Sequence, residues 1–92
     1  MQRMERKYRV AQQEVAWRRV DRDVLILHLR TGYYYSLNEV GARLWEELAG
    51  GASFARACTV IAGEFDADAA TVRADAEKVL AELCREQLLQ PA

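Results

Sequence analysis

The stretch Tyr33-Tyr34-Tyr35-Ser36-Leu37-Asn38 constrains this chain more than any other. Three consecutive aromatic residues favour extended backbone. Thr31-Gly32 just before them is a turn signal. Asn38 just after them is a good helix N-cap, its side-chain oxygen placed to accept a free backbone N–H one turn in. Six residues therefore close a hairpin, form a strand and open a helical half.

Upstream, Val15 to Val20 alternates weakly and reads as a first strand, Asp21-Arg22-Asp23 as a turn, and Val24 to Leu29 as a second strand rich in apolar residues. With a two-residue Thr31-Gly32 turn, Ile26 and His28 would share a face with Tyr35 and Leu37. With a three-residue Arg30-Thr31-Gly32 loop, Leu29 opposes Tyr33. Leu25, Leu27, Leu29, Tyr33, Tyr35 and Leu37 then share one fully apolar face, which Val15 and Trp17 join. Burial selects the second register, leaving Val24, Ile26, His28, Tyr34 and Ser36 on the opposite face. Residues 1–13 show no clean period and are expected as a flexible arm ahead of a single domain over 14–92.

Three helices follow. Asn38 caps the first, with Val40, Gly41, Leu44, Trp45 and Leu48 on one stripe, and Gly50-Gly51 ends it in the left-handed conformation glycine tolerates. Ser53 caps a second, with Phe54, Ala57, Cys58, Ile61 and Phe65 inward. Asp68 caps a third, from about Ala69 to Gln87, in which Val72, Ala76, Val79, Leu80 and Leu83 form an apolar stripe. Leu88-Leu89 folds back as a short apolar tail. The expected fold class is α+β and winged-helix-like: a three-stranded antiparallel sheet followed by three helices.

Several functions are disfavoured. The 92 residues suffice for one modest core. No apolar run approaches the roughly 20 residues of a membrane span, and basic residues near the start are followed by no apolar segment of the signal-peptide kind. A cytoplasmic, non-membrane protein is expected. Cys58 and Cys84 read as reduced thiols, and with one histidine, His28, the chain supplies no metal-ligand set and implies no cofactor. No nucleophile has an evident base, and Gly50-Gly51 lacks the lysine and preceding strand of a phosphate loop, so an enzyme is not expected. A winged helix raises the alternative of DNA binding. Up to Tyr35 there are eight bases against four acids, and from Ser36 onward five against ten. The helices that would enter a groove thus lie in the acidic half, against the phosphate neutralisation duplex binding needs.

The third strand would leave one edge of the meander free. Such edges are usually blunted by lysine, proline or a bulge, and Tyr33 to Ser36 contains neither lysine nor proline. A guest peptide could add there as a further strand, taking main-chain hydrogen bonds from the edge and specificity from side-chain pockets. The third helix would supply those pockets through Val72, Ala76, Val79 and Leu83.

Tyr34-Tyr35-Ser36-Leu37-Asn38, Gly41, Leu44-Trp45, Gly50-Gly51, Ser53, Asp75-Ala76, Val79-Leu80 and Leu88-Leu89 together resemble the PqqD-like family over roughly residues 15 to 89. Its members are leader-recognition elements for ribosomally made, post-translationally modified peptides. The chain departs from that pattern at Ala76, usually valine, at Val79, usually bulkier, and at Gln87, usually glycine. The resemblance implies a non-catalytic adaptor that binds a precursor's leader along the third strand and hands it to a leader peptidase or other modifying enzyme. It is more similar to the lasso-peptide adaptors than to the pyrroloquinoline quinone chaperone, which serves a radical-SAM enzyme. On this reading the edge amides of Tyr33 to Ser36 hold the leader's backbone, and Leu27, Tyr33, Val72, Ala76 and Val79 form apolar pockets. Tyr34 contacts the leader or the partner enzyme, and Asp75 pairs with a basic leader residue.

Overall fold

The computed structural model describes residues 6–11 and 13–92. In chain order these form β1 (Tyr8–Val10), β2 (Val15–Val20), β3 (Asp23–His28), β4 (Tyr34–Leu37), α1 (Glu39–Ala49), α2 (Phe54–Glu64), α3 (Ala69–Arg85) and β5 (Leu89–Pro91). The meander β2-β3-β4 and the three helices are those expected. Two short strands are added, β1 and β5, which pair antiparallel in a second small sheet. The expected arm is thus a strand over Tyr8–Val10, with Tyr8, Val10 and Ala11 buried. Residues 1–5 and 12 of that segment lie outside the described residues. Leu88 and Leu89 do fold back, and both are buried.

Each helix starts on a side-chain cap. Asn38 accepts from the Gly41 N–H at 3.2 Å, Ser53 from Arg56 at 3.1 Å and Asp68 from Thr71 at 3.0 Å. Each also ends on a residue with positive φ: Gly51 (98°), Asp66 (49°) and Gln87 (62°). Behind each, two backbone N–H groups reach back to the last turn, as when Gln87 donates to Cys84 and Leu88 to Leu83. This pattern satisfies carbonyls the helix leaves open. Arg43 ties α1 to α2, donating to Glu46 and Glu47 on its own helix and through Nε to Glu64 at 2.8 Å. That guanidinium holds the Glu64 carboxyl below its ordinary value.

The register of the meander differs from the expected one. Ile26 pairs with Tyr35 and Val24 with Leu37, so the β3–β4 connection is the four-residue loop Leu29–Gly32, closed by the Gly32 N–H donating to the His28 carbonyl at 2.8 Å. The β2–β3 turn is the two-residue Asp21-Arg22, with Asp21 at φ 55°. Both loops differ by one residue from the expected ones, and each such shift turns β3 over. The core face therefore carries Val24, Ile26 and His28, all buried, with Val15, Trp17, Tyr35 and Leu37, whereas Leu25, Leu27 and Leu29 lie on the outer face. Because β3 is apolar on both faces, alternation could not choose between them. What chooses is α1, which lays Leu44, Trp45 and Leu48 against the inner face. Trp45 is fully buried and meets Trp17 edge-to-face, with ring centroids 5.8 Å apart. The helical stripes are as expected, with Phe54, Ala57, Cys58 and Ile61 of α2 and Val72, Ala76, Leu80 and Leu83 of α3 buried.

Gln87 holds a left-handed backbone that costs an L-residue about 1–2 kcal/mol and glycine little. Gln87→Gly is expected to raise the unfolding free energy by about 0.5–1 kcal/mol in urea titration, after the extra unfolded-state entropy of glycine is subtracted. A loss of stability would show that the hydrogen bond Arg30 donates to the Gln87 side chain at 2.6 Å outweighs the backbone term.

Candidate functional site

The hydrogen-bond phase of β4 determines what its outer edge offers. The His28 N–H donates to the Tyr33 carbonyl at 2.9 Å, and antiparallel ladders alternate between bonded and non-bonded pairs. Tyr33, Tyr35 and Leu37 are therefore the residues bonded to β3. Tyr34 and Ser36 turn their N–H and C=O groups away from the sheet. Among the described residues no strand pairs with that edge, since β4 ends the order β2-β3-β4 and β1 pairs with β5 instead.

Beside the edge runs an open groove of about 360 Å³ between β4 and α3. Leu37, Val79, Leu83 and Leu88 make it apolar, and Lys78, Glu82 and Glu86 give it a charged rim. The Tyr35 hydroxyl donates to Glu86 Oε1 at 2.7 Å, bridging strand and helix. That hydrogen bond, then the partial burial of the ring and the nearby carboxylate charge, holds the Tyr35 phenol above its ordinary value. Glu82 and Glu86 are also within ion-pair reach of Arg85.

Of the residues expected at the site, Tyr35, Ser36, Val79 and Leu83 come together in this groove. Val72 and Ala76 lie further back along α3, buried in the core, and do not line it; Asp75 is exposed on α3 and does not line it either. Leu27 and Tyr34 project onto the outer face of the sheet, beside a second depression. Tyr33 is exposed at the hairpin end, its N–H donating to Thr31 Oγ1. Sequence reasoning missed Lys78, Glu82, Glu86, Leu88 and the lining role of Leu37. A signal for two of them, Glu82 and Glu86, was present: Val79, Glu82, Leu83 and Glu86 follow i, i+3, i+4, i+7, one helical face. The expected pocket ran along α3 towards its start, and the real groove runs towards its end.

A family model described as coenzyme PQQ synthesis protein D (PqqD) matches residues 23–89, from the start of β3 to the start of β5. The chain belongs to the PqqD family. The matched span contains both walls of the groove, and the resemblance read from the aromatic strand and the Leu44-Trp45 helix is confirmed. Two solved structures share the PqqD fold of this chain at a TM-score of 0.81. One is TbiB1 in complex with the TbiA(beta) leader peptide, 32% identical, covering 89% of this chain and 94% of the other. The second is a lasso peptide synthetase B1 complexed with the leader peptide. It is 21% identical, covers 92% and 99%, and bears on the fold alone. No curated protein sequence matches the chain. No helix among the described residues is long and apolar enough to cross a membrane.

The Tyr35–Glu86 bridge in this PqqD-family chain has a pH signature. A phenol whose folded value is raised stabilises the fold fully below the ordinary tyrosine value of 10.0 and loses that contribution as pH rises through the raised one. The stability difference between the wild type and Tyr35→Phe, from urea unfolding, is expected to be flat up to about pH 10 and to shrink above it. A difference unchanged at higher pH would mean that the bridge does not hold in solution.

Proposed function

We propose that this chain binds the leader segment of a ribosomally made precursor peptide as a guest strand on β4, and delivers it, without catalysing a reaction itself, to a separate leader peptidase in lasso-peptide maturation. The observation that carries this reading is the juxtaposition of outward-facing backbone groups at Tyr34 and Ser36 with the apolar groove against α3. Strand addition needs both features. The 32% identity to TbiB1, whose structure holds a leader peptide, supports the same reading.

The division of labour follows from magnitudes. Each edge hydrogen bond nets about 0.5–1.5 kcal/mol, because water hydrogen bonds are given up to make it. Each apolar side chain buried in the groove contributes about 1.5–3 kcal/mol, so affinity rests mainly on what the guest places against Val79, Leu83 and Leu88. Side chains of an added strand alternate. Every second guest residue enters the groove, and those between project onto the outer face of the sheet. Lys78, and then Glu82 and Glu86 one and two turns further along the same side of α3, bias which charges the guest carries along that rim.

Two variants test the two halves of the site, with the labelled precursor leader encoded alongside this chain as the probe in fluorescence anisotropy. Val79→Glu places an unpaired carboxylate in the groove and is expected to weaken binding at least tenfold, about 1.4 kcal/mol, with the helical circular dichroism unchanged. Ser36→Pro removes an outward N–H without touching the β3–β4 ladder, a position at which an edge strand tolerates proline, and is expected to weaken binding severalfold. Wild-type affinity in both variants would refute strand addition at β4.

A further inference from the structure

A depression of about 600 Å³ lies between the last turns of α3 and the small β1–β5 sheet. It shares no lining residue with the strand-addition groove. Leu80, Ala81, Cys84 and Gln87 line this hollow, while Val79, Glu82, Leu83 and Glu86 line the groove. The two sets interleave along one helix, so only the width of α3 separates the two sites. At the helix end the division narrows to two adjacent residues. Glu86 bridges to Tyr35 on the groove side, and Gln87 accepts from Arg30 at 2.6 Å on the other. Buried Leu80 and Leu89 close the floor of the hollow. Its charged rim is Arg6 and Arg30 against Glu14. Arg30 pairs with Glu14 at 3.4 Å, yet its side chain stays 58% exposed.

We propose that this depression holds the stretch of the precursor just beyond the guest strand, through an acidic side chain that pairs with Arg30 and Arg6. The occupant rests on the leader-binding reading above, to which the depression adds a second subsite. Direction is the first argument. Both pairings of the meander are antiparallel, and antiparallel pairing is the more stable per residue. A guest added that way runs from the Leu37 end towards Tyr34, and its C-terminal side leaves at the hairpin end, where Arg30 stands. Position is the second. Outward backbone groups stop at Tyr34, because the Tyr33 N–H turns to Thr31 and the Tyr33 carbonyl to His28. The ladder cannot continue past that point, and recognition falls to side chains. A helix is about 10 Å across and an extended residue spans about 3.3 Å, so roughly three or four residues carry the guest round the end of α3. Charge is the third. Two guanidiniums and one carboxylate leave the hollow with one positive charge in excess, and a guanidinium fork takes a carboxylate through two parallel hydrogen bonds. The groove has the opposite balance, Lys78 against Glu82 and Glu86. An acidic guest residue is therefore disfavoured in the groove and favoured just past it, which fixes how far the precursor slides along β4.

The test uses the full chain and a nested series of labelled peptides from the precursor encoded alongside it, shortened from the C-terminal side, with affinity read by fluorescence anisotropy. In the wild type, affinity is expected to fall in two steps: at least fivefold when the stretch past the strand is removed, and to no measurable binding when the strand itself is cut. Arg30→Glu is expected to weaken the full leader at least fivefold and the leader shortened to its strand less than twofold. Because Arg30 also holds Gln87, Ala81→Glu repeats the test at an exposed position of α3 inside the depression and leaves that bond alone. Replacing the acidic residues of the stretch by glutamine is expected to reproduce the first step in the wild type and to change nothing further in Arg30→Glu. Unchanged affinity for the full leader in both variants overturns the proposal. So does an equal loss for full and shortened leaders, which would assign the effect to the groove or the fold, and so does a stretch that carries no acidic residue. A wild type that binds the shortened leader as tightly as the full one refutes the subsite alone. A wild type that binds no peptide of the series refutes the leader reading, and the subsite with it.

Discussion

The packing of α1 on the inner face of β3 is the contact on which the rest of the molecule depends. Leu44, Trp45 and Leu48 bury their side chains against Val24 and Ile26, each worth about 1.5–3 kcal/mol relative to exposure. Trp45 adds the edge-to-face contact with Trp17, which secures the far strand. No other element decides so much, because β3 would be equally apolar if turned over. Once α1 commits to Val24 and Ile26, Tyr35 and Leu37 must face the helices, and Leu25, Leu27 and Tyr34 must face away.

That choice also builds the groove. With Tyr35 and Leu37 turned inward, their side chains meet the end of α3, and the Tyr35–Glu86 hydrogen bond joins the two walls. The ladder phase then turns the backbone of Tyr34 and Ser36 outward. Side-chain wall and backbone edge come from alternate residues of one four-residue strand. The left-handed turn at Gln87 sends Leu88 and Leu89 back beneath α3, where Leu88 completes the apolar lining. β5 pairs with β1 rather than with β4, so the N-terminal strand leaves the candidate edge alone.

Much of this was legible in the sequence because it is local. Asn38, Ser53 and Asp68 cap the three helices as their chemistry requires, and the apolar stripes of α1, α2 and α3 fall at helical spacing. The aromatic run is a strand that ends its sheet, and the groove lies between that strand and α3. The register was not legible, since both faces of β3 are apolar and burial arguments favour either one. Val72, Ala76 and Val79 looked alike on the α3 stripe, but the position of β4 brings it level with Val79 and leaves Val72 and Ala76 in the core. β1 was missed because three residues carry too short a pattern to show a period, and its partner β5 lies at the far end of the chain.

The amino-acid sequence by itself determined the three helices with their caps, the three strands of the meander, the family and the existence of an unblunted strand edge, each legible in short local patterns. Tertiary structure alone decided which face of the sheet is covered, which backbone groups point outward and which turn of α3 lines the groove. Those outcomes hang on single-residue differences in loop length and on long-range packing. A period-two strand inverts with every single-residue shift, and a chain apolar on both sides gives no local reason to prefer either answer.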